Sequence, residues 1–240
     1  MSKKTKLEAL SNPPIIEAVF EISTTELKES KIEKLSLKEK KFRAQFPKED
    51  KIQLFEGTMT PAKKEAFFNN HQAGFSYESK DEKDILQFRT NGFSYHRLQP
   101  YSHWEDFINT ALTYWEKYKN LRDDIEVTKL GLRFINVIKL NGENSNKYLK
   151  IDLSFPSEIK KPKQLQYRYI SEFPDLESIA IVNLIQTENI VLDINIIKNT
   201  NLNQNVITKE LLKNSFEQMR EAKNVVFFKT LTPQALENYR

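Results

Sequence analysis

Acid–base chemistry near neutral pH needs a group that titrates there, and this chain offers three histidines, His71, His96 and His103. His96 is the candidate catalytic base among them. It alternates with Ser94 on a predicted strand and precedes Arg97, so an imidazole, a hydroxyl and a cation share one short segment suited to metal-independent RNA cleavage. Spacing places no further group beside them, and a surface or capping histidine accounts for the same residues without a reaction. Two other constellations read as binding sites. Glu17, Arg133 and Asn136 are polar residues set inside apolar strand sequences. If those strands pair, Glu17 reaches Arg133 as a charge-assisted contact and Asn136 satisfies backbone groups, either as a buried network fixing strand register or as a ligand site. Lys160, Lys161 and Lys163, followed by Tyr167-Arg168-Tyr169, form the one place where basic and aromatic residues interleave closely, a pattern that suits RNA.

Other chemistries are excluded by what the chain lacks. It has no cysteine, which removes disulfides, thiolate metal sites and a cysteine nucleophile. Asp123-Asp124 ends a helix and Asp193 stands with Asn195 on a strand, each without a ligand partner at metal spacing, so neither metal nor other cofactor is expected. With five glycines, and neither a Gly-x-Ser-x-Gly nor a His-Glu-x-x-His pattern, nucleotide cradling and the familiar hydrolase motifs are not in view. Charged residues make up 29% but the net charge is only +4, so lysine-rich stretches balanced by glutamate read as solvated faces first. No apolar run approaches the ~18 residues that span a bilayer. Met1 to Lys6 lead into Leu7-Glu-Ala rather than a signal-peptide core, so a cytoplasmic protein without membrane contact is expected. Richness in Lys, Asn and Ile suits a bacterial source.

The elements that must position these residues follow from periodicity. Ile125 to Leu140 alternates cleanly, with Leu130, Leu132, Phe134 and Ile138 on one face and Asn136 as the polar intrusion, which predicts a half-buried strand. Ile16 to Ile22 alternates likewise after Pro13-Pro14. Thr25 to Phe46 reads as a charge-rich helical region, and Ile52 to Met59, Gly74 to Ser79, Ile85 to Thr90 and Phe93 to Leu98 as strands, the last two joined by a turn at Asn91-Gly92. Ser102-His-Trp-Glu105 has capping-box spacing ahead of the stripe Trp104, Phe107, Ile108, Ala111, Leu112, Trp115 and Tyr118, which predicts the firmest helix. Tyr148 to Leu153, Leu165 to Phe173, Ile179 to Gln186 and Ile190 to Lys198 read as strands, Asn199 to Asn205 as a loop, and Thr208 as the cap of a helix carrying Leu211, Leu212, Phe216 and Met219. Val225 to Phe228 and a short helix opened by Thr232-Pro233 end the chain.

The order of elements repeats: leading strand, connection, antiparallel strands, amphipathic helix. This predicts an α+β fold of two similar halves, 1–123 and 124–240, each an antiparallel sheet backed by one long amphipathic helix, a ferredoxin-like duplication.

Three segments together resemble a poorly characterised, sporadically distributed bacterial family of roughly this length. They are the opening Asn12-Pro-Pro-Ile-Ile-Glu17-Ala-Val, the central Gly131-Leu-Arg133-Phe-Ile-Asn136-Val-Ile, and the closing Phe227-Phe-Lys-Thr-Leu-Thr232 with its short last helix. The resemblance implies no established activity or cofactor; its scattered distribution is like that of accessory or defence genes. The reading that results is a non-enzymatic intracellular interaction or regulatory module with a protein partner. The alternative is an RNA-binding or RNA-processing protein on the duplicated scaffold, with Lys160, Lys161, Lys163, Tyr167, Arg168 and Tyr169 on nucleic acid. A third is a nuclease using His96.

Overall fold

The computed structural model describes residues 10–60, 65–101, 103–123, 125–151 and 163–240. At its centre the two alternating strands pair with each other. β1 (Ile15–Thr24) and β6 (Glu126–Lys139) run antiparallel with Val19 opposite Arg133 and Glu17 opposite Ile135. Their shared face carries Ala18, Phe20, Ile22, Leu130, Leu132 and Phe134, each 1% exposed or less.

On its other edge β1 meets β5 (Gly92–Leu98), followed outward by β4 (Asp84–Arg89), β3 (Glu65–Glu78) and β2 (Lys48–Thr60). On its other edge β6 meets β9 (Asn189–Asn203), then β8 (Ser178–Gln186) and β7 (Leu165–Phe173). The product is one nine-stranded sheet of order β2-β3-β4-β5-β1-β6-β9-β8-β7, antiparallel between all neighbours.

This overturns the expected pair of halves, each with its own sheet and helix, and with it the ferredoxin-like duplication. The β1–β6 ladder carries hydrogen bonding across the division expected at 123/124. Both long helices, α2 (Trp104–Asn120) and α3 (Lys209–Thr230), pack on the same face of the single sheet. Phe20 of β1 stacks on Phe216 of α3 at 4.0 Å, the Trp104 indole N–H of α2 donates to Glu217 of α3, and Lys213 pairs with Glu105 at 2.8 Å. The physical reason is edge satisfaction: two separate sheets would leave the inner edges of β1 and β6 with unpaired backbone groups, and joining them pairs both rows.

Several element boundaries also differ from expectation. Leu27, Ile32, Leu35, Leu37 and Phe42 are all buried, but their irregular spacing does not hold one helical face, and Thr25 to Phe46 forms a 3-10 turn (Glu29–Leu35) and a short helix α1 (Lys40–Gln45) instead. The β4–β5 turn is Thr90-Asn91, one residue earlier than expected. Gly92, with φ +154°, begins β5, where a Cβ would stand 2.4 Å from the Ile22 carbonyl oxygen; glycine is what lets β1 close against the hairpin. His103 is the N-cap of α2 and its side chain makes no capping bond, while Ser102 lies outside the described residues. Thr208 does cap α3, accepting from the Leu211 N–H at 3.1 Å. Asn199 to Asn203 prolong β9, Val225 to Phe228 belong to α3, and the strand expected over Tyr148 to Leu153 reduces to a bridge between Leu149 and Leu231, its end lying outside the described residues. Thr232 caps α4 (Pro233–Glu237) as expected. No helix among the described residues is long and apolar enough to cross a membrane.

One buried cation ties the helical layer to the sheet. Arg122, 5% exposed, follows α2 and donates to the Tyr118 hydroxyl (2.8 Å), Thr24 Oγ1 (3.1 Å) and the carbonyls of Thr25 (2.9 Å) and Thr90 (3.2 Å). Its charge is spread over carbonyl and hydroxyl dipoles at the ends of β1 and β4. Arg122→Ala removes these four charge-assisted bonds together with the packing of a buried side chain, and is expected to cost about 3 kcal/mol of unfolding free energy. Denaturant unfolding measures this, and a loss under about 1 kcal/mol would remove the cross-link from the argument.

Candidate functional site

The alternation that sends Phe20, Phe93 and Leu132 to the helices sends Glu17, Ser94, His96, Arg133 and Asp193 to the opposite face, which no described helix covers. Four adjacent strands, β5, β1, β6 and β9, bring these residues together at the middle of the sheet.

On the β5 side, His96 Nδ1 lies 2.7 Å from Glu17 Oε1 and His96 Nε2 lies 3.0 Å from Ser94 Oγ, whose hydroxyl donates to Gln87 Oε1 at 3.3 Å. His96 thus bridges Glu17 and Ser94 through its two ring nitrogens. Glu17 is held below the ordinary glutamate value, first by the hydrogen bond from His96 and then by the charges of His96 and Arg133, against the opposing effect of burial. Next to it Arg89 donates to Glu21 at 2.8 Å.

On the β9 side, Arg133 grips Asp193 through two parallel bonds of 2.8 and 2.9 Å. That contact raises the affinity of Arg133 for its proton, and Asn183 of β8 donates to the same carboxylate at 3.1 Å. Arg168 of β7 reaches Asn183 Oδ1 at 3.5 Å.

The residues read from the sequence are therefore partly gathered and partly separated. Glu17 and Arg133 share the face, but the bonded partner of Glu17 is His96 and that of Arg133 is Asp193. Asn136 lies on the other face, 1% exposed, donating to the carbonyls of Phe134 (3.2 Å) and Leu192 (2.9 Å). The Tyr167-Arg168-Tyr169 run is split by its own strand: Tyr167 and Tyr169 contact each other at 5.8 Å on the helix-bearing side, while Arg168 points to the open face. Lys163 is exposed, and Lys160 and Lys161 lie outside the described residues. The Glu17–His96 pairing was missed because it depends on β1 and β5 lying side by side, a long-range fact; the cue within reach was that both alternate onto polar strand faces.

Hydroxyl, imidazole and carboxylate in this order match the sequence of groups in a hydrolase triad. The surroundings oppose that use. Ser94 is 2% exposed, its hydroxyl is committed to Gln87, and β4 and β1 flank β5 on both sides and engage the backbone N–H groups that an oxyanion would need. Among the described residues no group of three or more His, Asp or Glu side chains is placed to hold a metal. The arrangement is a hydrogen-bonded, charge-matched patch that presents a fixed polar pattern.

The chain matches no protein-family model and no curated protein.

Two measurements test this pairing. A double-mutant cycle of Arg133→Met with Asp193→Ala is expected to give a coupling of about 1 kcal/mol, against less than about half that for Arg133→Met with Glu17→Gln. The lowered pKa of Glu17 makes its contribution present above the ordinary value of 4.5 and lost as pH falls through the folded value. Between about pH 5 and about pH 3 the fall in Tm should be shallower in Glu17→Gln than in the wild type.

Proposed function

We propose that the chain is a non-enzymatic interaction or regulatory module that docks a partner protein on the open face of its sheet. The observation that carries this reading is that the arginines of the face have internal acceptors: Arg89 on Glu21 and Arg133 on Asp193 toward its middle, and Arg168 on the Asn183 amide at the β7 edge. A nucleic-acid backbone is held by cations that exchange small counterions for phosphate. Here phosphate would have to displace carboxylates that belong to the fold, whereas a protein surface can meet such a patch with neutral hydrogen-bonding groups.

The polar centre also has an aliphatic border suited to the same occupant. Ile135, Val137, Ile179, Ile181, Ile185 and Val191 alternate onto the open face and stay partly exposed, and Ile170 on the edge strand is 59% exposed. A charge-matched, rigid centre would set orientation and the aliphatic border would supply the area that excludes water. A cytoplasmic location, expected from the sequence, and an accessory or defence role, suggested by the family resemblance, fit a module of this kind.

A photo-crosslinking residue placed at Val137 or Ile181 in cells of the native host tests the reading, with Val225, 41% exposed on α3, as the control. RNase-resistant protein adducts are expected at the first two positions and not at the third. Adducts removed by RNase would favour the RNA reading, a product consisting of two copies of this chain would replace the partner with self-association, and adducts confined to Val225 would overturn the assignment of the face. Salt-dependent retention on heparin should be unchanged by Lys163→Gln with Arg168→Gln.

A further inference from the structure

On the helix side of the sheet, where β1 begins beside β6, a cavity of about 190 Å³ opens between the C-terminal half of α3 and the segment leading into α2. Tyr101, Trp104, Phe134, Asn136, Lys223 and Phe227 give it aromatic walls and one amine. It is separate from the charge-matched patch on the opposite face.

Lys223 sits on the apolar stripe of α3, four residues after Met219 and four before Phe227, both buried. Lys223 is half-buried, and its amine lines the cavity 4.5 Å from the Phe134 ring centre and 5.9 Å from that of Phe227. Among the described residues nothing accepts a hydrogen bond from it and no carboxylate pairs with it. The other cation of the cavity is compensated: Arg220 lies over the Trp104 ring at 5.0 Å and reaches Glu217 at 3.4 Å. The Tyr101 hydroxyl, also without a hydrogen bond among the described residues, is a second donor in the lining.

Aromatic faces attract an ammonium but do not replace the hydrogen bonds it gives up on leaving water. Burial, with repulsion from Arg220 added, accordingly pushes the amine down to about 7. One uncompensated positive charge in an aromatic cavity calls for a ligand with one negative charge and an apolar body. A dianionic phosphate would carry a charge that nothing in the lining balances.

We propose that this cavity binds a small monocarboxylate with a planar or branched apolar body, its carboxylate on Lys223 and its body between Phe134, Phe227 and Trp104.

Calorimetric titration of the full chain with benzoate, phenylacetate and isovalerate, and with neutral benzamide for comparison, tests the proposal. At least one of the three acids is expected to bind at about pH 7, well ahead of benzamide, and to weaken at least about tenfold by about pH 9 as the amine loses its proton. Of the titratable or charged groups around Lys223, Arg220 lies on its own helix, Tyr101 and His103 come from the segment before α2, and the neighbouring β6 residues Phe134 and Asn136 do not titrate. Lys223→Met is expected to abolish acid binding while melting at or above the wild-type temperature, because it replaces a half-buried charge without a partner among the described residues by an apolar side chain of similar length. The proposal is overturned if none of the acids binds at millimolar concentration, if benzamide binds as well as they do, if Lys223→Met still binds them, or if that variant melts far below the wild type.

Discussion

The ladder between β1 and β6 is the contact on which the rest of the molecule depends. Every other strand pair in the sheet joins segments within one portion of the chain, β2 through β5 or β7 through β9, or attaches such a group to β1 or β6. Only the central pair holds the two groups together as a sheet. Its energetics come from both sides of the pleat: the row Phe20, Ile22, Leu130, Leu132 and Phe134 is closed by α2 and α3, and the stack of Phe20 on Phe216 fixes α3 directly over the seam. The same pairing creates the polar patch, since Glu17 and Arg133 come within electrostatic reach only because their strands are neighbours.

The two faces of the sheet solve opposite problems. Against the helices, burial is nearly complete and polarity is admitted only where it is satisfied, as with Asn136, whose amide nitrogen is bonded to two carbonyls. On the open face, charges are retained and paired, as Arg133 with Asp193 and Arg89 with Glu21, so that aliphatic side chains there are interrupted by polar ones. A bidentate pair such as Arg133 with Asp193, whose side chain is only 10% exposed, also fixes strand register, because a shift of one strand by one residue would turn its member of the pair to the other face.

Local periodicity made β1, β6, the short strands, the α2 stripe and the Thr208 cap legible from the sequence, because each depends on neighbours within a few residues. What was not legible depends on which strands lie side by side. The repeat in element order suggested two sheets, and alternation alone contains nothing about whether leading strands head separate sheets or pair with each other. For the same reason Glu17 was matched to Arg133, when the bonded partners are His96 and Asp193. Two features have local cues. In Tyr167-Arg168-Tyr169 the period of two already separates the basic side chain from the aromatic ones, and Lys223 interrupts an otherwise apolar helical stripe that the sequence displays in full.

Two cations of the helical layer, buried Arg122 and half-buried Lys223, show how structural and ligand-directed polarity can be told apart. Arg122 and Lys223 both lie against aromatic rings, and among the described residues neither pairs with a carboxylate. They differ in hydrogen bonding. Arg122 has acceptors from two strands and a helix, so its charge is already distributed over fixed dipoles and nothing further is needed to make it stable there. Lys223 has none among the described residues, and its amine faces a cavity rather than a backbone. A lysine kept on a helical stripe where methionine or leucine would pack without that desolvation cost is explained by a group that enters the cavity and completes its bonds.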